Sequence, residues 1–306
     1  MALSGQQFTI RAGYHQATIT EVGAVLRRYT FGGADVVASF GEDEVQPRSA
    51  GGVLVPWPNR LRGGRYTFDG QPQQVAITEP DKGNALHGLG RWVRWAPLRA
   101  EQALVSLGVD LVPQKGWPFE VRVEVTYGLN PEFGLTVTAV ARNTGARRAP
   151  FGAGFHPYLA LHGHPLDEVT LRLPASQHLV IDEAAIPVGV RPVAGTPHDF
   201  RRGRRLGRLR LDDAYTGLEL EDGRGVAELH TGSGAVRVWF DSTFRYLQVF
   251  TAERLIQGLP AIAVEPMTCP ADAFNTGTGL IVLEPGGSWT GSWGISPIGV
   301  EGEGIR

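Results

Sequence analysis

Three residues of this chain, His87, His156 and Glu265, have side chains and neighbours suited to proton transfer. Glu265 follows the apolar residues 261–264, and a carboxylate at the end of a buried strand is costly unless it is paired or functional. His87 precedes a glycine, which lets a ligand or another backbone segment come close. His156 precedes a proline and lies among aromatic and small residues. Each histidine alone is more typical of a structural residue, so the hypothesis rests on the group.

A metal site is the competing interpretation of two histidines and a glutamate. The chain has no His-Glu-x-x-His motif, and we predict no metal ion, although a His/His/Glu site of long-range spacing stays open. The serine-hydrolase motif Gly-x-Ser-x-Gly, a P-loop and a dinucleotide fingerprint are also missing from the sequence. A glycosidase normally needs two carboxylates across the scissile bond, and only Glu265 stands out here.

A second polar segment, residues 55–60, precedes the first histidine and offers hydrogen-bond donors. Asn59 and Arg60 together present several directed donors of the kind that bind hydroxyl oxygens. Trp57, held between two prolines, would supply an apolar face for a sugar ring. An arginine-rich turn leading into a hairpin is an equally good interpretation of this segment alone.

Composition narrows the classes of partner. The 306 residues are 42% hydrophobic and 20% charged, with a formal net charge of -2, which gives no drive toward nucleic acid or an anionic membrane. The basic run at residues 201–210 lacks interleaved aromatic residues, so a solvated loop is favoured over an anion contact. The single cysteine excludes an intrachain disulfide. With no signal peptide and no apolar run of about 20 residues, we expect a cytoplasmic protein.

Short strands should position these residues. Residues 120–127, 134–140 and 235–240 alternate apolar and polar side chains with period two, as half-buried antiparallel strands do. Residues 68–71, Phe-Asp-Gly-Gln, predict a tight hairpin. No linker or repeat is visible, so we predict one all-β domain over residues 1–306, built as a large antiparallel β-sandwich. A barrel stays open on pattern alone.

Five short motifs, taken in order, resemble those of the aldose 1-epimerase (galactose mutarotase) family. They are Asn59-Arg60, Leu86-His87-Gly88, Phe155-His156-Pro157-Tyr158, Leu211-Asp212 with Tyr215, and Val264-Glu265-Pro266. The resemblance implies a galactose mutarotase-like supersandwich with a cofactor-free active site. It also implies interconversion of the α and β anomers of a hexose such as glucose or galactose. Asp212 matches the family's acid, and Asp213 is its neighbour in the chain.

Mutarotation needs a base at the anomeric hydroxyl and an acid at the ring oxygen. We expect Glu265 to be the base, His156 the acid, and His87 a polar contact to an oxygen near the reacting centre. Asn59, Arg60 and Asp212 would bind ring hydroxyls. A carboxylate near His156 should raise the pKa of that histidine.

Two alternatives remain from the sequence. One is a mutarotase for an anionic sugar such as a hexose 6-phosphate, bound by residues 201–210 and by Arg62 or Arg91. The other is a carbohydrate-binding β-sandwich without catalysis, which would not need an acid and a base together. In every case the expected partner is a small-molecule sugar, with no nucleic acid and no membrane, and the protein is expected to be a monomer or homodimer.

Overall fold

The computed structural model describes residues 2–299, and β-strands form nearly all of its regular structure. This confirms the predicted all-β class. The strands, in chain order, are β1 Gln7–Ala12, β2 His15–Thr20, β3 Leu26–Phe31, β4 Ala34–Asp35, β5 Val53–Leu54, β6 Arg60–Arg62, β7 Arg65–Phe68, β8 Gln71–Gln74, β9 Asn84–Leu86, β10 Ala96–Ala100, β11 Leu104–Leu111, β12 Val121–Asn130, β13 Gly134–Asn143, β14 Ala149–Phe151, β15 Gly154–Phe155, β16 Tyr158–Ala160, β17 Thr170–Arg172, β18 Ala175–Ile181, β19 Pro187–Pro192, β20 Arg204–Arg205, β21 Asp212–Leu218, β22 Arg224–Thr231, β23 Gly234–Asp241, β24 Tyr246–Ile256, β25 Leu259–Met267, β26 Ile281–Leu283 and β27 Ser288–Ile298.

Helices are few and short. The α-helix α1 spans Ala273–Thr276, and two 3-10 helices span Pro47–Ser49 and Leu166–Glu168. Within residues 2–299 no helix is long and apolar enough to cross a membrane.

Two large antiparallel sheets dominate the fold. One has nine strands in the order β10-β11-β12-β13-β27-β23-β22-β17-β20. The other has eight strands: β19-β18-β21-β24-β25-β15-β5 in order, with β16 also paired to β25. A four-stranded sheet, β1 to β4, and three two-stranded pairs complete the structure. Apolar side chains of both large sheets belong to one buried cluster, as the predicted sandwich requires.

The alternation read from the sequence accounts for this packing. Along β12, Val121, Val123, Val125 and Tyr127 are fully buried or nearly so, while the side chains between them are partly exposed. Burying a large apolar side chain stabilises the fold by about 1.5–3 kcal/mol. The predicted hairpin also forms, because β7 and β8 pair across a turn at residues 69 and 70 in which both φ angles are positive.

The eight-stranded sheet has two chemically different faces. Leu247, Val249 and Val264 point into the shared core. On the opposite face, Gln248 of β24 lies directly across from Glu265 of β25. Neighbouring side chains of a strand alternate between faces, so the polar row belongs to a surface away from that core.

The predicted domain of residues 1–306 begins and ends outside the described part of the chain. Residue 1 and residues 300–306 lie beyond it. The organisation as one domain stays a prediction.

Candidate active site

A cavity of about 210 Å³ lies over the polar face of the eight-stranded sheet. It brings together all six residues that the sequence predicted for the site. The lining residues are Arg48, Ser49, Asn59, Arg60, Leu86, His87, His156, Tyr158, Asp212, Gln248, Phe250 and Glu265. A larger cavity of about 420 Å³ lies elsewhere, along paired surface residues such as Arg237 and Glu228. Those charges neutralise each other, so the smaller cavity is the better candidate.

His156 and Glu265 form the centre of the cavity. Nε2 of His156 lies 3.3 Å from Oε1 of Glu265, and their side chains are only 7% and 2% exposed. His156 lies between β15 and β16 and is held by its backbone. Its N–H donates to the carbonyl of Gly52, and its carbonyl accepts from Gly51 N–H. The imidazole stacks on Tyr158 with ring centroids 4.9 Å apart. The acid and base candidates are therefore adjacent and rigidly placed.

Each of these two groups has one polar atom without a hydrogen-bond partner in the described residues. Nδ1 of His156 and Oε2 of Glu265 are buried, and neither has a hydrogen-bond partner in the described chain. Buried polar atoms without partners are uncommon in folded proteins and are often explained by function. They are suited to the hydroxyl and ring oxygens of a sugar.

Burial controls the protonation of this pair. Burial, assisted by the positive charge of Arg91, lowers the pKa of His156 to about 3. Burial also raises the pKa of Glu265 well above its usual value, and the negative charge of Asp212 adds to the shift. The expected rise of the His156 pKa is therefore wrong, because loss of solvation outweighs the attraction of the carboxylate. In the free site the pair is most stable when both groups are uncharged.

His87 faces His156 and has a defined tautomer. The two rings meet edge to face with centroids 5.5 Å apart. Asn59 N–H donates to Nδ1 of His87 at 3.1 Å, so the proton of the neutral ring is on Nε2. Burial lowers the pKa of His87 well below its usual value, and Arg91 adds to the shift. His87 is thus a neutral hydrogen-bond donor at the cavity wall.

An unusual backbone turn positions His87. His87 and Asn59 both have positive φ angles, 62° and 56°, which few residues other than glycine adopt. Gly88 follows, also at positive φ, and a Cβ there would meet the carbonyl oxygen of Val55 at 2.1 Å. The N–H groups of Leu89 and Gly90 both donate to that same oxygen. Glycine is therefore required at position 88 by close backbone approach.

Two side-chain amides and one carboxylate, linked by hydrogen bonds, form the polar floor of the cavity. Asn59 Nδ2 donates to Oε1 of Gln248 at 3.2 Å, and Gln248 Nε2 donates to Oδ1 of Asp212 at 2.7 Å. Gln248 was missed from the sequence. Its signal was a single buried amide within the otherwise apolar or aromatic residues 246–250. The network fixes Asn59 and Asp212, two of the three side chains that were predicted to bind hydroxyls.

Arg60 is held from two sides. Its guanidinium donates to both carboxylate oxygens of Glu79, and it lies 3.8 Å from Asp212. The hydrogen bonds from Arg60 to Glu79 and the charge of Asp212 raise the pKa of Arg60 despite its burial. Glu79 was also missed, because it lies in a loop with no motif around it. A paired guanidinium of this kind can orient a ligand with little loss of side-chain entropy.

Other residues predicted near the site occupy different places. Trp57, expected to stack on a sugar, instead packs in the core against Phe274, and Phe250 and Tyr158 are the aromatic residues of the cavity. Arg62 pairs with Asp182 outside the cavity. Arg91 lies behind the wall, where it donates to Ser49 and to the carbonyl of Leu86.

The basic run pairs with carboxylates in several places. Arg201 contacts Asp199, Arg205 lies near Glu168, and Arg210 contacts Glu253. None of its arginines lines the cavity. This placement matches the favoured interpretation of a solvated segment.

Asp212 and Asp213 point to opposite faces of β21. Asp212 lies across from Phe250 and lines the cavity, whereas Asp213 lies across from Val249. Asp213 is near His178 and His198, and these three are the only set in residues 2–299 whose possible metal-ligand atoms all lie within 4.8 Å of one another. His87, His156 and Glu265 do not form such a set.

Comparison with known proteins identifies the family of this chain. The family model described as aldose 1-epimerase matches residues 6–296. The chain is 36% identical to the uncharacterized protein YihR of Escherichia coli (strain K12), over 94% of this chain and 91% of that one. It is 29% identical to the aldose 1-epimerase of the same strain, over 71% of this chain and 66% of that one.

Solved structures show the same fold. The GalM/aldose epimerase homologue of C. elegans superposes with a TM-score of 0.84 at 21% identity, covering 97% of this chain and 99% of that one. The fold is therefore galactose mutarotase-like, as expected. With a family match over nearly the whole sequence, the chain belongs to the aldose 1-epimerase family.

Proposed function

We propose that this protein is a mutarotase that interconverts the α and β anomers of a hexose such as glucose or galactose. The observation that carries the proposal is the buried contact of 3.3 Å between His156 and Glu265, beside a floor of hydroxyl-binding amides. The two oxygens that exchange protons in mutarotation are bonded to the same carbon. An acid and a base therefore have to be neighbours, as they are here.

The proton movements follow from this placement. Glu265, as carboxylate, takes the proton of the anomeric hydroxyl, and His156, as imidazolium, gives a proton to the ring oxygen. The bond between the anomeric carbon and the ring oxygen breaks, and the open-chain aldehyde forms. Rotation about the bond next to the carbonyl presents its other face, and the two groups then work in reverse to close the ring. Protons and electrons balance without a cofactor.

The pKa shifts favour ring opening. Before the step the pair carries two opposite charges, and after it both groups are neutral. Burial raises the pKa of Glu265 and lowers that of His156, so the Glu265 carboxylate is a stronger base and the His156 imidazolium a stronger acid than in water. The substrate hydroxyls stabilise the charged form while they are bound. A positioned acid and a positioned base each contribute about 10²–10⁴-fold to rate.

The supporting residues have separate roles in this proposal. Nε2–H of His87 donates to the oxygen on which negative charge develops, because its Nδ1 is already occupied by Asn59. Asn59, Gln248 and Asp212 bind ring hydroxyls, and Arg60 holds Asp212 in place. Phe250 and Tyr158 line the cavity and can contact the apolar face of a sugar ring.

A second candidate function is mutarotation of an anionic sugar. Arg48 lines the cavity with its guanidinium 5.8 Å from the Phe250 ring centre, and it has no carboxylate within salt-bridge distance in the described residues. An unneutralised cation at the wall would bind a substituent such as a phosphate. The arginines that the sequence indicated for this role, residues 201–210 and Arg62, lie outside the cavity, and Arg91 lies behind its wall.

The decisive experiment is a mutarotation assay over a panel of pure anomers. Freshly dissolved α-glucose and α-galactose are followed by polarimetry, and hexose 6-phosphates by exchange NMR, each against the spontaneous rate. Acceleration of the neutral sugars supports the first proposal. Acceleration of the phosphates alone, lost in Arg48→Ala, supports the second. Sugar binding without acceleration of any member would contradict both and indicate a binding protein.

The cytoplasmic location and the monomeric or homodimeric state stay predictions from the sequence.

A further inference from the structure

A second group of histidines and a carboxylate lies across the eight-stranded sheet from the cavity. His178 of β18 pairs in register with Tyr215 of β21, and Asp213 lies two residues before Tyr215 on the same face. His198 comes from the segment between β19 and β20 and stacks on His178 with ring centroids 4.4 Å apart and planes 9° apart. Three segments distant in sequence thus converge on one point.

The three side chains have the reach of metal ligands. One ligand atom from each of His178, His198 and Asp213 lies within 4.8 Å of the other two. Nδ1 of His198 is 3.7 Å from Oδ1 of Asp213 and 3.3 Å from the Tyr215 hydroxyl. Metal–nitrogen bonds of about 2.0–2.1 Å require these groups to move closer together and at least one imidazole to turn out of the parallel stack, because a coordinated nitrogen holds the metal in its ring plane.

An independent observation points to a missing partner. Nδ1 of His178 is buried and has no hydrogen-bond partner among residues 2–299. A buried ring nitrogen of this kind is uncommon in folded proteins unless a ligand or an ordered water satisfies it. Burial and the neighbouring His198 lower the pKa of His178, which keeps its ring in the neutral form that coordinates metals.

We propose that His178, His198 and Asp213 bind one divalent transition-metal ion, with zinc the best fit. Two imidazoles and one carboxylate are ligands that Zn²⁺, Co²⁺ and Ni²⁺ share, whereas Ca²⁺ and Mg²⁺ prefer oxygen alone. The side chains of His198 and Asp213 are 23% and 22% exposed, so a water molecule can complete the coordination. The bound ion joins the segment that carries His198 to β18 and β21.

This site is separate from the proton-transfer pair. Asp213 faces the metal ligands and Asp212 faces the sugar cavity, on opposite sides of one strand. The ion therefore has a structural role in the proposal: it stabilises the packing of β18 against β21, the strand that presents Asp212. The mutarotase chemistry does not use it.

The test is zinc binding by the full chain after treatment with a chelator. Equilibrium dialysis against Zn²⁺ alone, followed by elemental analysis, should give one ion per chain. Co²⁺ in its place should give a visible absorption band of a nitrogen and oxygen site. Zn²⁺ should also raise the melting temperature by several degrees, because it binds the folded state.

Four variants make the test specific. His178→Ala and Asp213→Asn should weaken Zn²⁺ binding at least tenfold and remove the rise in melting temperature. His230→Ala is the matched control, because His230 also lies 3.3 Å from a carboxylate, that of Glu228, but on an exposed strand face. Glu265→Gln controls for binding in the cavity. Both controls should bind like the wild type.

The opposite results overturn the proposal. They are no stoichiometric Zn²⁺ in the wild-type chain, or equal binding in wild type and Asp213→Asn. Loss of binding in Glu265→Gln would place the ion in the cavity instead. Asp213→Asn preserves the shape of the side chain, so it decides the question even if His178→Ala does not fold.

Discussion

The same residue types occupy two sites on the two faces of one sheet, and their burial separates what they can do. His156 and Glu265 are 7% and 2% exposed, and each has a strongly shifted pKa caused first by loss of water. His198 and Asp213 are about three to ten times more exposed, at 23% and 22%. A histidine–carboxylate pair that is shielded from water is suited to moving a proton, whereas a partly exposed group of histidines and a carboxylate can coordinate an ion. Residue type alone does not distinguish them.

The largest expected effect of a single change is on the rate of mutarotation. Glu265→Gln should lower the enzymatic rate about 10²–10⁴-fold, because the base is lost while the shape is kept. Asp213→Asn removes a carboxylate from the other face and should leave the rate unchanged. Polarimetry of α-glucose or α-galactose with both variants measures the difference. A near-wild-type rate in folded Glu265→Gln would sink the base assignment.

The histidines offer a second, smaller contrast. His87→Ala should lower kcat about 10²–10³-fold, since one positioned donor to a developing charge is lost. His178→Ala should leave kcat and KM unchanged in metal-free protein. Steady-state kinetics of the two variants distinguishes a role in catalysis on the cavity face of the sheet from a role outside catalysis on its other face. Equal losses in both would mean that histidine removal acts through folding rather than through the cavity.

Removal of the Glu265 carboxylate and removal of the Asp213 carboxylate should also change the stability of the protein by different amounts. Burial raises the folded-state pKa of Glu265, so the stability from its protonated form is full below its ordinary pKa of 4.5 and is lost as pH rises. Glu265→Gln should therefore increase the free energy of unfolding by about 1–3 kcal/mol at pH 8 and by little at pH 4.5. Asp213→Asn should change it by less than about 1 kcal/mol. Urea unfolding at both pH values checks this, and a destabilised Glu265→Gln at pH 8 would contradict it.

The smallest expected effect is the change of rate on mild acidification. The pKa of His156 is about 3, so the pair keeps a single shared proton well below neutrality. Activity at pH 4 should stay within about twofold of that at pH 6, although an ordinary glutamate titrates near 4.3. On the alkaline side, activity should fall once pH passes the raised pKa of Glu265. A steep loss of activity between pH 6 and pH 4 would show that water solvates the His156–Glu265 pair.

The sequence predicted the fold and the six central residues for different reasons. Period-two alternation was enough to predict strands such as β12, because one face of each strand is buried. The site residues were found through ordered motifs rather than through physics. Gln248, Glu79 and the placement of Trp57 could not be found that way, since they depend on strand register and loop packing between distant segments.

The wrong prediction that the pKa of His156 would rise has the same origin. A sequence shows that a carboxylate is near, but it does not show how little water reaches the pair. The burial of His156 in the folded protein, where its ring stacks on Tyr158, removes enough water to reverse the sign of the pKa shift.

The opposite orientations of Asp212 and Asp213 have a consequence for how this protein can vary. The two side chains serve different faces and are linked only by the hydrogen bond that Asp212 N–H donates to Oδ2 of Asp213, so sugar binding and ion binding can diverge through point changes that keep this acceptor. A gain or loss of one residue inside β21 is different, because it turns the following side chains to the other face. Single deletions of residue 213 or 214 would turn the buried Tyr215 away from the core, so these deletions should inactivate the protein whereas Asp213→Asn should not.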